Sequence, residues 1–178
     1  MKFLIASDIH GSAFYLKKVL EKFNDEKAEK IVLLGDIYNH GPRNPLPKDY
    51  SPMEIADMLN AIKEKLIVIK GNCDSAVDTM ISEFDFIENV VLVSGEKSVF
   101  CTHGHVYNKD AMPKTKFDAI IYGHFHTGFI ENIDGVTVAN AGSASLPKNG
   151  TPNSYMILED GILTLKDFDG KVIEQTKI

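Results

Sequence analysis

Five of the six histidines of this chain fall in three tight clusters, and each cluster follows an apolar run. Asp8-Ile9-His10 follows Phe3-Leu4-Ile5-Ala6. Thr102-His103-Gly104-His105 follows Val99-Phe100-Cys101, and Gly123-His124-Phe125-His126 follows Ala119-Ile120-Ile121-Tyr122. Two further runs end the same way: Ile31-Val32-Leu33-Leu34 in Gly35-Asp36, and Leu66-Ile67-Val68-Ile69 in Gly71-Asn72. Carboxylates, a side-chain amide oxygen and imidazoles are metal-ligand groups. Lacking thiolate, the set suits Mn²⁺, Fe²⁺, Zn²⁺ or Mg²⁺ better than copper(I) or an iron–sulfur cluster. Seven ligands (Asp8, His10, Asp36, Asn72, His103, His124 and His126) exceed the needs of one tetrahedral site, so two metals sharing Asp36 are expected. Two such cations, ~3.5–4 Å apart, clamp a phosphoryl group and lower the pKa of a bridging water from about 15.7 towards neutrality, giving a hydroxide for in-line attack on phosphorus.

Taken singly, each residue has an ordinary reading. Asp8 could cap a helix, Gly35-Asp36 and Gly71-Asn72 could be turns, and a lone histidine is commonly a hydrogen-bonded core residue. Five clusters that all end strand-like runs are hard to explain as independent turns.

The elements that must position them follow from periodicity. If the runs are strands of an α/β sandwich, their C-terminal ends lie along one rim. Asp8 and His10 alternate in a segment read as extended, which would turn both to one side. After the first strand (3–7), Ser12 can cap a helix whose apolar residues Ala13, Leu16, Leu20 and Phe23 fall at helical spacing. Strand 31–35 leads into a polar stretch from Tyr38 to Tyr50, where Pro42, Pro45 and Pro47 forbid regular helix and central strand alike. Ser51-Pro52-Met53-Glu54 has the pattern of a capping box with proline at the first helical position. It predicts a helix carrying Ile55, Met58, Leu59 and Ile62, followed by strand 66–70 and right-handed parallel crossovers. Beyond it the pattern predicts short strands near 90–94, 97–102, 117–122, 129–133 and 136–140. A C-terminal meander over 154–159, 162–168 and 172–176 turns at two Asp-Gly pairs. The expectation is an α/β fold of two packed mixed sheets with helices on both outer faces, a four-layer αββα sandwich. With no repeat, linker or low-complexity segment, it forms one domain over 1–178.

Composition narrows the function. Apolar residues make up 44% and charged residues 25% of the 178, ordinary for a globular protein. A net charge of −6 argues against a broad basic surface for nucleic acid or anionic membrane. There is no leader-like segment and no apolar run of the ~20 residues that span a bilayer. Cys73 and Cys101 cannot form a disulfide framework and suit a reducing, cytoplasmic setting.

These residues resemble the calcineurin-like metallophosphoesterases, whose motifs run D-x-H, G-D, G-N-H-[DE], H-G-H and G-H-x-H. Here they stand as Asp8-Ile9-His10, Gly35-Asp36, Gly71-Asn72-Cys73-Asp74, His103-Gly104-His105 and Gly123-His124-Phe125-His126. Asn39-His40-Gly41-Pro42-Arg43-Asn44-Pro45, the Cys73 variant and Gly142-Ser143-Ala144-Ser145 are similar to the small bacterial phosphodiesterases of the YfcE type. The resemblance implies the αββα fold and a phosphodiesterase with two divalent ions, Mn²⁺ first, with Zn²⁺, Fe²⁺, Ni²⁺ or Mg²⁺ compatible. Asp8, His10, Asp36 and His126 would hold one ion, and Asp36, Asn72, His103 and His124 the other. Related activities are phosphomonoester and nucleotide pyrophosphate hydrolysis, and the family also contains non-catalytic interaction scaffolds.

One departure stands out. Cys73 replaces the histidine that in the wider family acts on the transition state or leaving group, and Cys73 and Asp74, which completes that motif, stand as catalytic candidates. An unperturbed thiol titrates near 8.5 and carries no positive charge, so attack on poor leaving groups is put in doubt. His105 is a candidate replacement proton donor. Asn39, His40 and Arg43 leave the Asp36 strand and would meet substrate, the guanidinium gripping phosphate bidentately; Lys148 is a weaker candidate. A small phosphorylated substrate is expected rather than long nucleic acid, and exposed strand edges would permit self-association.

Overall fold

The computed structural model describes residues 1–178. Its strands are β1 (Phe3–Ala6), β2 (Lys30–Leu33), β3 (Leu66–Ile69), β4 (Phe86–Ile87), β5 (Asn89–Ser94) and β6 (Lys97–Thr102). They continue as β7 (Ala119–Tyr122), β8 (Phe129–Ile133), β9 (Val136–Asn140), β10 (Ser154–Glu159), β11 (Ile162–Asp167) and β12 (Val172–Lys177). Two α-helices, α1 (Ala13–Asp25) and α2 (Pro52–Asn60), connect the first three strands. Neither is long and apolar enough to cross a membrane.

The strands form two mixed sheets. The larger has seven in the order β12-β11-β10-β1-β2-β3-β4, the smaller five in the order β5-β6-β7-β9-β8. Parallel pairing joins β1 to β4 in the large sheet and β6, β7 and β9 in the small one. The two-residue period of a strand sorts side chains between two cores. Leu4 and Ala6, Ile31 and Leu33, and Tyr155 and Ile157 face α1 and α2. Their alternates Phe3 and Ile5, Val32, and Met156 and Leu158 meet Val99, Cys101, Ala119 and Ile121 of the small sheet. Each large apolar side chain buried this way contributes roughly 1.5–3 kcal/mol relative to exposure. Cys101 is wholly buried there as a core residue.

Local signals fare differently. The Ser12 side chain caps α1, accepting from the Tyr15 N–H at 3.3 Å, and Asp160-Gly161 turns tightly between β10 and β11 with both residues at positive φ. Pro52 opens α2 as its pattern predicts, but Ser51 makes no side-chain cap. Its backbone N–H instead donates to the Gly11 carbonyl at 2.8 Å, which ties the end of the proline-rich loop to the turn after His10.

The α/β sandwich of two packed mixed sheets is the fold expected, with unevenly covered outer faces. Both α-helices cover the large sheet, and none covers the outer face of the small one. There Phe100, Ile120, Tyr122 and Val138 pack against Tyr107 and Phe117 from the coil between β6 and β7. Phe100 stacks on Phe117 with centroids 4.9 Å apart. Aromatic residues on a short crossover shield this face where a helix was expected, leaving three regular layers.

Candidate metal centre

Every parallel strand that was expected to deliver a ligand ends at the same rim. Asp8 follows β1, Asp36 follows β2, Asn72 follows β3, His103 follows β6 and His124 follows β7. The backbone there is not extended. Asp8, His10, Asp36, His124 and His126 have φ of 56°, 52°, 54°, 65° and 60°, all left-handed. The expected alternation of Asp8 and His10 along a strand is therefore corrected. Beyond Ala6 the chain leaves the ladder, and Asp8 and His10 instead donate their N–H groups to the carbonyls of Gly35 and Asp36 at 3.1 and 2.9 Å. Left-handed residues other than glycine cost of order 1–3 kcal/mol each, so surrounding bonds must hold them.

Those bonds are on hand. The Asp8 carbonyl accepts from the Ser143 and Ser145 hydroxyls at 2.8 and 3.0 Å, and Asp8 Oδ2 accepts from the His124 N–H at 2.9 Å. Asp74 is buried, and both its oxygens are taken. Oδ2 accepts from the N–H groups of Asp36 and Gly71 at 2.8 and 2.7 Å, and Oδ1 from that of Ile37 at 2.8 Å. Gly71 lies so close to Asp36 that a Cβ there would collide with its carboxylate. Burial pushes the Asp74 carboxyl up to about 6 against these donors, leaving it ionised at neutral pH. With both oxygens accepting from these backbone N–H groups, Asp74 braces Asp36 from beneath the loops.

Three imidazoles are oriented alike. His10 Nδ1 meets the Asn39 carbonyl at 2.8 Å, His103 Nδ1 the Leu34 carbonyl at 2.8 Å, and His126 Nδ1 the Leu146 carbonyl at 2.6 Å. A carbonyl can only accept, so each Nδ1 carries a proton and each Nε2 is turned inward. His10 Nε2 and His126 Nε2 then face each other at 3.1 Å, with Asp8 Oδ1 at 3.6 and 3.3 Å from them. That Asp8 oxygen is buried and has no hydrogen-bond partner. Nearby, His103 Nε2 lies 3.0 Å from Asn72 Oδ1 and 3.5 Å from Asp36 Oδ1, while Asp36 Oδ2 lies 3.8 Å from His10 Nε2. Lone pairs face lone pairs in two groups joined by one carboxylate. Cations fit this arrangement; Asp8, His10 and His126, and Asp8, Asp36 and His103, each bring donor atoms within 4.8 Å of one another.

Protons compete with a cation for these atoms. Burial alone would raise the Asp8 carboxyl, yet the His10 and His126 imidazoles hold it well below the usual carboxylate range. Burial pulls His10 down, but Asp8 outweighs it and leaves its pKa raised. His124 is half-buried, and burial and His103 lower its pKa; its centroid lies 5.1 Å from that of His103.

Above the cluster opens a cavity of about 680 Å³, lined by Asp36, Asn39, Gly41 to Asn44, Asn72, Cys73, His124 to His126 and Lys148. Arg43, the only arginine in the chain, forms no ion pair, and neither does Lys148. Asn39 lines the cavity while its carbonyl orients His10 and its side-chain oxygen accepts from the Gly41 N–H at 2.8 Å. His40 does not line it. Its ring packs edge-on against Tyr50 at 5.4 Å. His105 also stands outside the lining, 5.3 Å from the His103 ring, and burial and His103 lower its pKa. Cys73 does line the cavity; burial and Asp36 push its thiol up to about 12. Ser143, Ser145 and Asn140, whose side-chain amide donates to the Gly123 carbonyl at 2.6 Å, are the supporting residues that periodicity missed. Applying the strand-end rule to β9 would have found them.

The family model for the calcineurin-like phosphoesterase superfamily domain matches residues 1–160. Phosphodiesterase YfcE of Escherichia coli K12 is 40% identical over 181 aligned residues, spanning 100% of this chain and 98% of that protein. The solved structure of the E. coli YfcE phosphoesterase superposes with a TM-score of 0.95 at 38% identity, covering 100% of both chains. Vps29 of Entamoeba histolytica, solved with Zn²⁺, shares the fold at a TM-score of 0.62 and 22% identity, covering 99% of this chain and 98% of its own. Taken with the converging ligand groups, the match over most of its length means that the chain belongs to the calcineurin-like phosphoesterase superfamily.

Proposed function

We propose that this chain is a metal-dependent phosphodiesterase that hydrolyses small phosphodiesters at a two-metal centre. The observation that carries the reading is the pair of acceptor groups sharing Asp36, whose oxygens lie 3.5 Å from His103 Nε2 and 3.8 Å from His10 Nε2. The phosphodiesterase name of its 40%-identical relative supports the substrate class. Asp8, His10, Asp36 and His126 hold one ion, and Asp36, Asn72, His103 and His124 the other. Mn²⁺ is the first ion to test, with Zn²⁺, Fe²⁺, Ni²⁺ and Mg²⁺ suited to the same donors. When bound, such ions neutralise phosphoryl oxygens and acidify an attacking water.

The protein's own groups do the rest. Arg43, free of any ion pair, grips a non-bridging phosphate oxygen from the cavity wall, with Lys148 adding positive charge. Cys73 stays a neutral thiol near pH 7, so it is neither nucleophile nor cation. A site with an uncharged group there gives less compensation to the dianion of a monoester than to the monoanion of a diester. The reaction adds water to the diester and releases a monoester and an alcohol, best when that alcohol departs unaided. A small substrate and a reducing cytoplasmic setting complete the proposal; the acidic chain offers no basic track for long nucleic acid.

Metal-stripped protein should hydrolyse a chromogenic phosphodiester only after Mn²⁺ is added, and faster than the matching monoester. Preference for the monoester would keep the site and change the substrate class, while no turnover with any divalent ion would favour a binding scaffold. Metal uptake should depend on pH. Because Asp8 raises the His10 pKa above its usual 6.5, a proton competes for the same Nε2, so affinity is full above the raised value and is lost as pH falls through it. Mn²⁺ titrations at pH 6 and 8 should differ by about tenfold or more in Kd, and a pH-independent Kd would contradict this. Arg43→Ala should raise KM about tenfold and lower kcat less, as loss of ground-state phosphate binding does. The opposite split in steady-state kinetics would make Arg43 a transition-state group.

A further inference from the structure

Phe125 sits between two histidines of the metal centre and is 45% exposed, although it lines the cavity. Nothing in the turn demands an aromatic there. The left-handed residues on either side and the bond from the Phe125 N–H to the Gly123 carbonyl at 2.7 Å set the backbone whatever the side chain. The ring is nonetheless held. It meets His124 at 5.0 Å and Tyr122 at 6.1 Å, both near perpendicular, so its remaining surface is presented to the cavity in a fixed place. Lys148 is fastened to the same wall, its backbone N–H donating to the His126 carbonyl at 2.9 Å. Arg43 lines the cavity from the proline-rich loop. The volume of about 680 Å³ lies in the ~300–1,000 Å³ range of sites for drug-sized ligands, far beyond a lone phosphate group.

We propose that Phe125 is a stacking platform that selects phosphodiesters carrying a flat aromatic group, as nucleoside esters do, with Arg43 and Lys148 holding the phosphate beside it. This rests on the phosphodiesterase reading above and narrows its substrate class. Stacking on an aromatic side chain tolerates any base, because every base offers a π-face, and needs no hydrogen-bond code. It also gives an exposed ring in a charged cavity something to cover it.

The test compares ligands that differ only in the base: thymidine monophosphate and the same sugar phosphate without thymine. Calorimetric binding to the Mn²⁺-loaded protein should favour the nucleotide by about tenfold. Phe125→Ala should bring the ratio of the two Kd values to within about twofold, Phe125→Leu should reduce it as well, and Phe125→Tyr should keep it. Equal binding by the unmodified protein overturns the proposal, as does a preference that survives in both the Ala and Leu variants. A changed oligomeric state with an unchanged ratio would also overturn it, by making Phe125 an interface residue. Turnover of a chromogenic diester by the same samples separates the two claims. Turnover without base preference removes the platform alone, whereas a Phe125-dependent preference without turnover keeps the platform and removes the phosphodiesterase reading.

Discussion

Three backbone carbonyls, those of Leu34, Asn39 and Leu146, govern this site. Each accepts the Nδ1 proton of one imidazole and thereby turns its Nε2 inward. The His103–Leu34 contact joins the end of a small-sheet strand to the end of a large-sheet strand, so sheet packing itself sets one ligand's tautomer. The Asn39 carbonyl comes from the proline-rich loop and the Leu146 carbonyl from the segment after β9. A cation between the atoms that face each other at 3.0 and 3.1 Å takes a lone pair from both members of each pair. A proton can serve only one member of each pair, which couples metal binding to pH.

Holding this geometry requires backbone that the chain would otherwise avoid. Five of the ten non-glycine residues with positive φ belong to the candidate metal centre. Their conformational cost is offset by bonds from residues distant in sequence: Ser143 and Ser145 on the Asp8 carbonyl, and Asp74 on the loops of Asp36 and Gly71. These groups touch no reacting atom, yet without them the carboxylates would be free to relax towards ordinary strand or turn geometry. The large sheet, buttressed by two helices, supplies the rigid side of the arrangement. The small sheet supplies His103, His124 and His126 on a thinner support of aromatic side chains.

What could be read in advance was whatever one strand encodes by itself. Unbroken apolar runs within Phe3–Ala6, Lys30–Leu33 and Leu66–Ile69 mark strands covered on both faces, and a polar residue just past each end marks the rim. The five strand-end turns that carry the candidate ligands were therefore legible. Interactions between distant segments were not. Nothing local to Asp74 says that three amide groups from Asp36, Ile37 and Gly71 will saturate it. Nor does anything local to His40 say that Tyr50 will draw its ring away from the cavity. Ser51 has the right type for a cap but is pulled into a backbone bond with Gly11. The missing outer helix has a similar origin, since the coil after His103 carries Tyr107 and Phe117 at spacings that signal neither helix nor strand but cover the sheet all the same.

The central claim is that one carboxylate joins two cation sites. Counting bound Mn²⁺ per chain by equilibrium titration, in the unmodified protein and in Asp36→Asn, tests it most directly. The account predicts two ions per chain in the former and weakened binding of both in the latter, since one oxygen of Asp36 serves each group. A single ion in the unmodified protein, or an Asp36→Asn variant that binds two with undiminished affinity, would contradict it.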